Sequence, residues 1–236
     1  VTLSLSATGA SEMLISEDVT FLDTIYVPYA TSLNYQLSYG EGSGDGERTL
    51  YVKFKDAAGN ETEAISSTIY LDFTVPSISF SSLVDSPTNS SPFSVTITFS
   101  EVITGFTEDN IVVGNGTISS FAGSGVSYTV NITPSSDGDV TLNMANGVVQ
   151  DMAGNGNTAP LQFVMHYDSQ APTGGTVSIN DSATHTNNPA VTLTLSATGA
   201  DYMIISENND FNGSSYEAYA VSKSFELSVG DGSKTV

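Results

Sequence analysis

Apolar and polar residues alternate along this chain with a period of two. Val1, Leu3, Leu5 and Ala7 are interleaved with Thr2, Ser4, Ser6 and Thr8. The same alternation places Val95, Ile97 and Phe99 on one face, then Tyr128, Val130 and Ile132, then Val140, Leu142 and Met144, then Leu161, Phe163 and Met165. Such alternation predicts strands with one buried face, because successive side chains of an extended chain point to opposite sides. Clusters rich in Gly, Asn, Asp and Ser separate the runs: GEGSGDGE (40–47), NGT (115–117), AGSG (122–125) and SSDGD (135–139). These read as turns. No segment carries a sustained helical stripe, so the predicted class is all-β.

The chain also repeats itself. VTLSLSATGA at 1–10 returns as VTLTLSATGA at 191–200. Met13, Ile15, Ser16 and Glu17 recur as Met203, Ile205, Ser206 and Glu207, and Tyr29-Ala30 as Tyr219-Ala220. GDGERTL (44–50) returns as GDGSKTV (230–236), so the spacing of 190 residues falls to 186 after extra residues in the 40–44 loop. A period of that size exceeds one sandwich of about 100 residues and predicts two per repeat. The segments DFTVPS (72–77) and DSQAPT (168–173) each follow an apolar strand with Asp, then Pro, then a new strand. Proline cannot donate to a ladder and suits such junctions. The expected organisation is therefore 1–72, a domain without its first strand; 73–168, a complete domain; and 169–236, a repeat of 1–50 without its last strands. TVSIN (176–180) would be the opening strand that the first domain lacks. Completion by a longer polypeptide, or by neighbouring chains, is the expectation that follows.

SPFSVTITFSEVITGFTEDNIVVGNGTISSF (91–121) with DGDVTLNMANGVVQDMAGNGNTA (137–159) resembles the bacterial immunoglobulin-like domains of large repetitive surface proteins. The outer segments resemble a sister class, marked by YVKFKDAAGNET (51–62) and a following strand ending in Leu-Asp. The resemblance covers essentially the whole chain. It implies tandem immunoglobulin-like β-sandwich domains in a linear array, on the cell surface or secreted. It also implies a role as spacer or ligand-presenting stalk of an adhesin, often stiffened by calcium. Neighbouring immunoglobulin-like domains, of the same or adjacent chains, are the implied partners, with any glycan or host-surface ligand engaged through other domains.

Charge narrows the partners further. The 236 residues carry 26 acidic and 5 basic side chains, a formal net charge of -21. Nucleic acid and anionic membrane surfaces repel such a chain, whereas cations are attracted. No apolar stretch approaches the length of a membrane span, so membrane insertion is not expected. Any export signal is expected outside residues 1–236. With no cysteine, neither disulfides nor thiolate metal sites arise.

Calcium is the cofactor the residues argue for. In a sandwich, the linker entering a domain lies beside two loops at the same pole. For the middle domain that pole would collect Asp72, Glu101, Asp151 and Asn155, with Glu108 and Asp109 in the same loop region. Calcium takes about six to eight oxygen ligands, several of them carboxylate, in adaptable geometry. The equivalent joint of the first domain would use Asp56 and Asn60, and that of the third Asp168. A second reading stays open. D-x-A-G-N also forms a turn for backbone reasons alone, Asp56 and Asp151 capping their own loops without metal.

Catalysis finds little support, and the chain reads as a non-enzyme. His166 alternates with an inward set and is expected to face solvent, while His185 sits in a polar loop. Neither has a Cys or His partner or a nucleophile context. Pairs such as Glu17-Asp18 are expected by chance in so acidic a chain. Lys53 and Lys55 flank Phe54 and read as outward residues; an isopeptide bond from a buried lysine is the rarer alternative. The sequons at Asn60, Asn89, Asn115, Asn131, Asn180 and Asn212 occur near chance frequency and do not establish glycosylation. Tyr26, Tyr29, Tyr35, Tyr39, Tyr51 and Tyr70, with Tyr202, Tyr216 and Tyr219, could pack on the sheets or form a contact surface. Two other functions remain besides the stalk: a subunit of an extracellular filament completed by strand addition, and an accessory carbohydrate-binding module of a secreted enzyme.

Overall fold

A computed structural model describes residues 1–38 and 44–236. Tyr39 and the first half of the turn cluster that opens at Gly40 therefore lie outside the described residues. The chain divides into two compact bodies, Val1–Asp168 and Ser169–Val236. Both are built almost wholly from antiparallel strands, as the period-two pattern predicts.

In the first body, β1 (Thr2–Ser4) pairs with β4 (Ser32–Asn34), and β2 (Glu12–Ser16), β3 (Val27–Pro28), β5 (Gly46–Lys55) and β6 (Ile65–Leu71) form a second sheet in the order β3-β2-β5-β6. Met13, Ile15, Leu37, Leu50, Val52 and Phe54 are buried together, with Leu3, Leu5 and Ala7 packed against them. The inward set of the opening alternation therefore faces the core. Tyr29 adds a fixed point: its ring meets Phe54 edge-on, and its hydroxyl accepts from the Ala7 amide at 3.1 Å.

Two further sheets complete this body. β7 (Ile78–Ser82), β8 (Phe93–Phe99), β10 (Gly116–Ser124) and β11 (Ser127–Pro134) are ordered β10-β11-β8-β7. β9 (Val112–Gly114), β12 (Gly138–Asn143) and β13 (Phe163–Tyr167) are ordered β13-β12-β9. Val95, Ile97, Val130, Ile132, Val140 and Leu142 are all 0 % exposed in the shared core. An aromatic group of Phe99, Phe106, Phe121 and Tyr128 closes one end. Asn115, at φ 54°, sits where the chain leaves the sheet of β9 and enters that of β10.

Two sequence expectations need correction here. AGSG is not a turn as a whole: β10 runs to Ser124, and the reversal falls at Gly125 and Val126. Gly123 lies inside the strand because a side chain there would meet the Ser127 carbonyl and the Tyr128 Cα at 2.5 Å each. Leu161 does not share the inward face of Phe163 and Met165. It follows Pro160, lies ahead of β13 and is 93 % exposed, since the ladder with β12 begins only at Leu142↔Phe163.

The second body contains β14 (Thr173–Ile179), β15 (Ala190–Thr198) and β18 (Ser222–Glu226) in one sheet, and β16 (Tyr202–Met203) paired with β17 (Glu217–Ala218). It repeats local contacts of the first. The Tyr219 hydroxyl accepts from Ala197 N at 2.9 Å, as Tyr29 does from Ala7. Glu17 accepts from the amide and hydroxyl of Ser38, and Glu207 from those of Ser228. Val27 and Leu33, packed on the first core, are replaced by Glu217 and Lys223, which form an ion pair. Two apolar residues packed on the core have thus been exchanged together for an ion pair.

Candidate metal centre

The motif D-x-A-G-N occurs twice and folds identically both times. In the first copy, Asp56 Oδ1 accepts from the amides of Ala58 and Asn60, and Oδ2 from the Asn60 side chain at 2.9 Å. In the second, Asp151 Oδ1 accepts from Ala153 and Asn155, and Oδ2 from the Asn155 side chain at 2.8 Å. Asp and Asn here satisfy the turn's own donors, which is why the motif forms without help from elsewhere. The local reading of the motif as a self-capped turn is thus met in both copies.

The surroundings separate the two. Asp56 and Asn60 lie on a largely exposed turn, with hydrogen bonds from Asn60 holding the Asp56 carboxyl below the usual range. Asp151 is buried at 4 % exposure. Burial pushes its carboxyl up, but the hydrogen bonds from Asn155, Ala153 and Gly154 outweigh this and leave it below the ordinary value. The Asn155 side chain also donates to the Asp72 carbonyl at 3.0 Å, so the loop grips the segment that links the two parts of the first body.

That segment, 72–77, is tied on several sides. Asp72 Oδ1 accepts from Thr74 N at 2.9 Å, and Asp45 accepts from Phe73 N at 2.6 Å and from the Thr74 hydroxyl. Thr158 N donates to the Pro76 carbonyl, while Ser77 and Ser100 exchange two bonds at 3.0 Å. Pro76 itself is fully buried. The linker is therefore held by a backbone and side-chain network rather than by its proline alone.

At this place Asp72, Glu101 and Asp151 each direct a carboxylate oxygen to within 4.8 Å of the others. Glu101 Oε1 is buried with no hydrogen-bond donor. Burial pushes the Glu101 carboxyl up, and the negative charges of Asp151, Asp72 and Asp45 push it further. Partly buried acids crowded in this way repel one another unless a proton or cation intervenes. The donors are all hard carboxylate oxygens, the ligand type that suits calcium.

Of the residues expected at this joint, Asp72, Glu101, Asp151 and Asn155 are brought together. Asn155 uses its amide nitrogen to hold Asp151 and Asp72. Glu108 and Asp109 instead occupy an exposed 3-10 turn, Glu108–Asn110, capped by Thr107. Asp168 is exposed, its amide donating to the Thr88 carbonyl. Among the described residues, Asp72, Glu101 and Asp151 form the single group of three acids close enough to hold one ion.

Asp45 escaped the sequence reading. Its signal was the Gly-Asp-Gly that recurs at Gly230-Asp231-Gly232, which reads as turn composition until the fold places Asp45 against Phe73 and Thr74. The other candidates take ordinary roles. Lys55 pairs with Glu12 at 2.6 Å across the β2–β5 ladder, so both strand lysines are outward residues. His166 Nδ1 lies 2.8 Å from Asp139 at an exposed cross-strand position, and His185 contacts Thr184. No helix among the described residues is long and apolar enough to cross a membrane.

Residues 72–164 match the family model of the bacterial Ig-like domain. The matched stretch contains Asp72, Glu101, Asp151 and Asn155; Asp45 lies before it. No curated protein matches the chain significantly.

Proposed function

We propose, for a chain whose residues 72–164 are similar to the bacterial Ig-like domain family, that it is a non-catalytic segment of a long extracellular stalk. In this reading its 72–77 junction is stiffened by a calcium ion. Asp72, Glu101 and Asp151 would hold the ion, and Asp45 would add negative charge from the opposite side of the linker. The observation that carries the reading is the Glu101 carboxylate: one oxygen is buried without a donor while three other acids face it. A divalent cation would supply the missing positive charge.

The mechanical consequence follows from what the ion would join. Asp45 belongs to the part before the linker, Asp72 to the linker, and Glu101 and Asp151 to the part after it. An ion held by Asp72, Glu101 and Asp151 would tie the linker to two loops of the part after it, while Asp45 holds the linker to the part before it through Phe73 and Thr74. Restricted hinge motion at such joints suits a spacer whose length is set by repeat number.

Thermal unfolding in calcium and in EDTA, with magnesium as control, tests this. Calcium should raise the melting temperature, and magnesium should do so less, because it dehydrates reluctantly and demands stricter geometry. Equal melting curves in all three buffers would remove the calcium reading.

A further inference from the structure

Four asparagines in this chain precede a glycine: Asn115, Asn146, Asn155 and Asn212. That pairing makes an asparagine labile, because a glycine nitrogen, with no Cβ beside it, most easily reaches the preceding side-chain carbonyl carbon. We propose that Asn212–Gly213 is a site of non-enzymatic deamidation through a cyclic imide, and that the fold shields the other three pairs.

The reaction needs only water. The Gly213 nitrogen bonds to Asn212 Cγ as the Cγ–Nδ2 bond breaks. Nδ2 leaves as ammonia, taking the proton that the Gly213 amide gives up. Water then opens the ring at either of its carbonyls. One opening leaves aspartate at position 212; the other leaves isoaspartate, in which the side-chain carbon has entered the backbone.

Hydrogen bonds and packing separate the four pairs. Asn115 donates to the Ser136 carbonyl at 2.9 Å and accepts from the Ser136 hydroxyl at 2.8 Å. A Cβ on Gly116 would lie 3.1 Å from atoms of Ile132 and Thr133, so that glycine has little room to swing. Asn146 Oδ1 accepts from the Ala159 amide, and the Gly147 nitrogen, which would have to attack, donates to the Asn157 carbonyl at 2.9 Å. Asn155 is held by Asp72 and Asp151. Among the described residues, neither the Asn212 side chain nor the Gly213 amide makes a hydrogen bond. Both residues are exposed, and the space around Gly213, at φ 82°, is open.

The loop presents this pair instead of covering it. Phe211 N donates to the Asn208 carbonyl at 3.0 Å and Ser214 N to the Phe211 carbonyl at 3.1 Å, which closes the turn and leaves Asn212 Cγ free. The exposure belongs to the loop itself. Leu22 and Asp23 hold these places in the first body and are exposed too, with β5 paired to β2. That copy has no amide to lose, so the chemistry is confined to the second copy of the repeated loop. Isoaspartate would lengthen the backbone inside the turn. Either product adds a carboxylate near Asp210, which accepts from the Asn212 amide at 3.1 Å.

Peptide mapping by mass spectrometry tests this, on the full chain kept in mildly alkaline buffer with and without urea. In the folded chain, Asn212 should convert about tenfold or more faster than Asn115, Asn146 and Asn155, whose reaction awaits local opening. In urea that advantage should disappear. Isoaspartate should accompany aspartate at position 212, because ring opening produces both. Gly213→Asp installs the residue that the first body carries at this place, and should slow the conversion several-fold. Equal rates at the four pairs in the folded chain would overturn the proposal. So would aspartate formed without isoaspartate, or an unchanged rate in Gly213→Asp.

Discussion

The side-chain amide of Asn155 donates to the backbone carbonyl of Asp72 at 3.0 Å, joining positions 83 residues apart. The same amide holds Asp151 at 2.8 Å. One residue thereby couples the turn of D-x-A-G-N to the linker ahead of the domain. Among the described residues, the side chain of its twin Asn60 bonds only within its own turn.

That contrast can be measured. Asn155→Ala should destabilise the protein by about 1–3 kcal/mol, because it strips a donor from the nearly buried Asp151 and from the Asp72 carbonyl. Asn60→Ala, on an exposed turn, should cost less than about 1 kcal/mol. Urea unfolding of both variants gives the comparison. Equal losses would show that the linker contact contributes nothing.

Acidity should act in opposite directions at two neighbouring carboxylates. Asp151 has a depressed folded pKa, so its contribution is present above the ordinary carboxylate range and is lost as pH falls through the depressed value. Glu101 has a raised folded pKa, so its contribution is full below the ordinary value and is lost as pH rises through the raised one. In EDTA, Glu101→Gln should therefore raise stability at neutral pH, and Asp151→Asn should lower it. Urea midpoints across an acid-to-neutral pH series check both signs.

Gly123 marks a packing limit in the β10–β11 pairing of the first body. With φ at 142° and backbone atoms 2.5 Å from where a Cβ would sit, Gly123→Ala must displace the β10–β11 pairing. A loss of about 2 kcal/mol or more is expected, by the mechanisms of overpacking and backbone strain. Gly125→Ala, with open space around it, should suffer from its positive φ alone and lose less. Thermal unfolding of the two variants should separate them.

The exchange of Val27 and Leu33 for Glu217 and Lys223 predicts coupling. Lys223→Leu alone leaves Glu217 without its partner and should destabilise, whereas the double change Glu217→Val with Lys223→Leu should be neutral or stabilising. A double-mutant cycle measures this, and additive effects would contradict it.

Much of this was legible beforehand, for identifiable reasons. Val95, Ile97, Val130 and Leu142 announce their strands because period-two burial is a property of the local chain. Asp151 and Asn155 announce their turn because its bonds are made within five residues. Asp45 was not legible, since only the tertiary placement of its loop beside Phe73 gives that carboxylate a role. Nor was the exposure of Leu161, where the partner strand ends before the apolar pattern does. Glu108 and Asp109 do lie in the loop region of Glu101, between β8 and β9, but on an exposed 3-10 turn of their own.

Calcium titration by calorimetry, on the native chain and on Glu101→Gln, tests the central claim most directly. The account predicts one site on the native chain, in the roughly 10⁻⁴–10⁻³ M range of extracellular calcium modules. It predicts loss of that site in Glu101→Gln, even though this variant is the more stable of the two without metal. Absence of binding to the native chain, or binding of equal strength to Glu101→Gln, would contradict it.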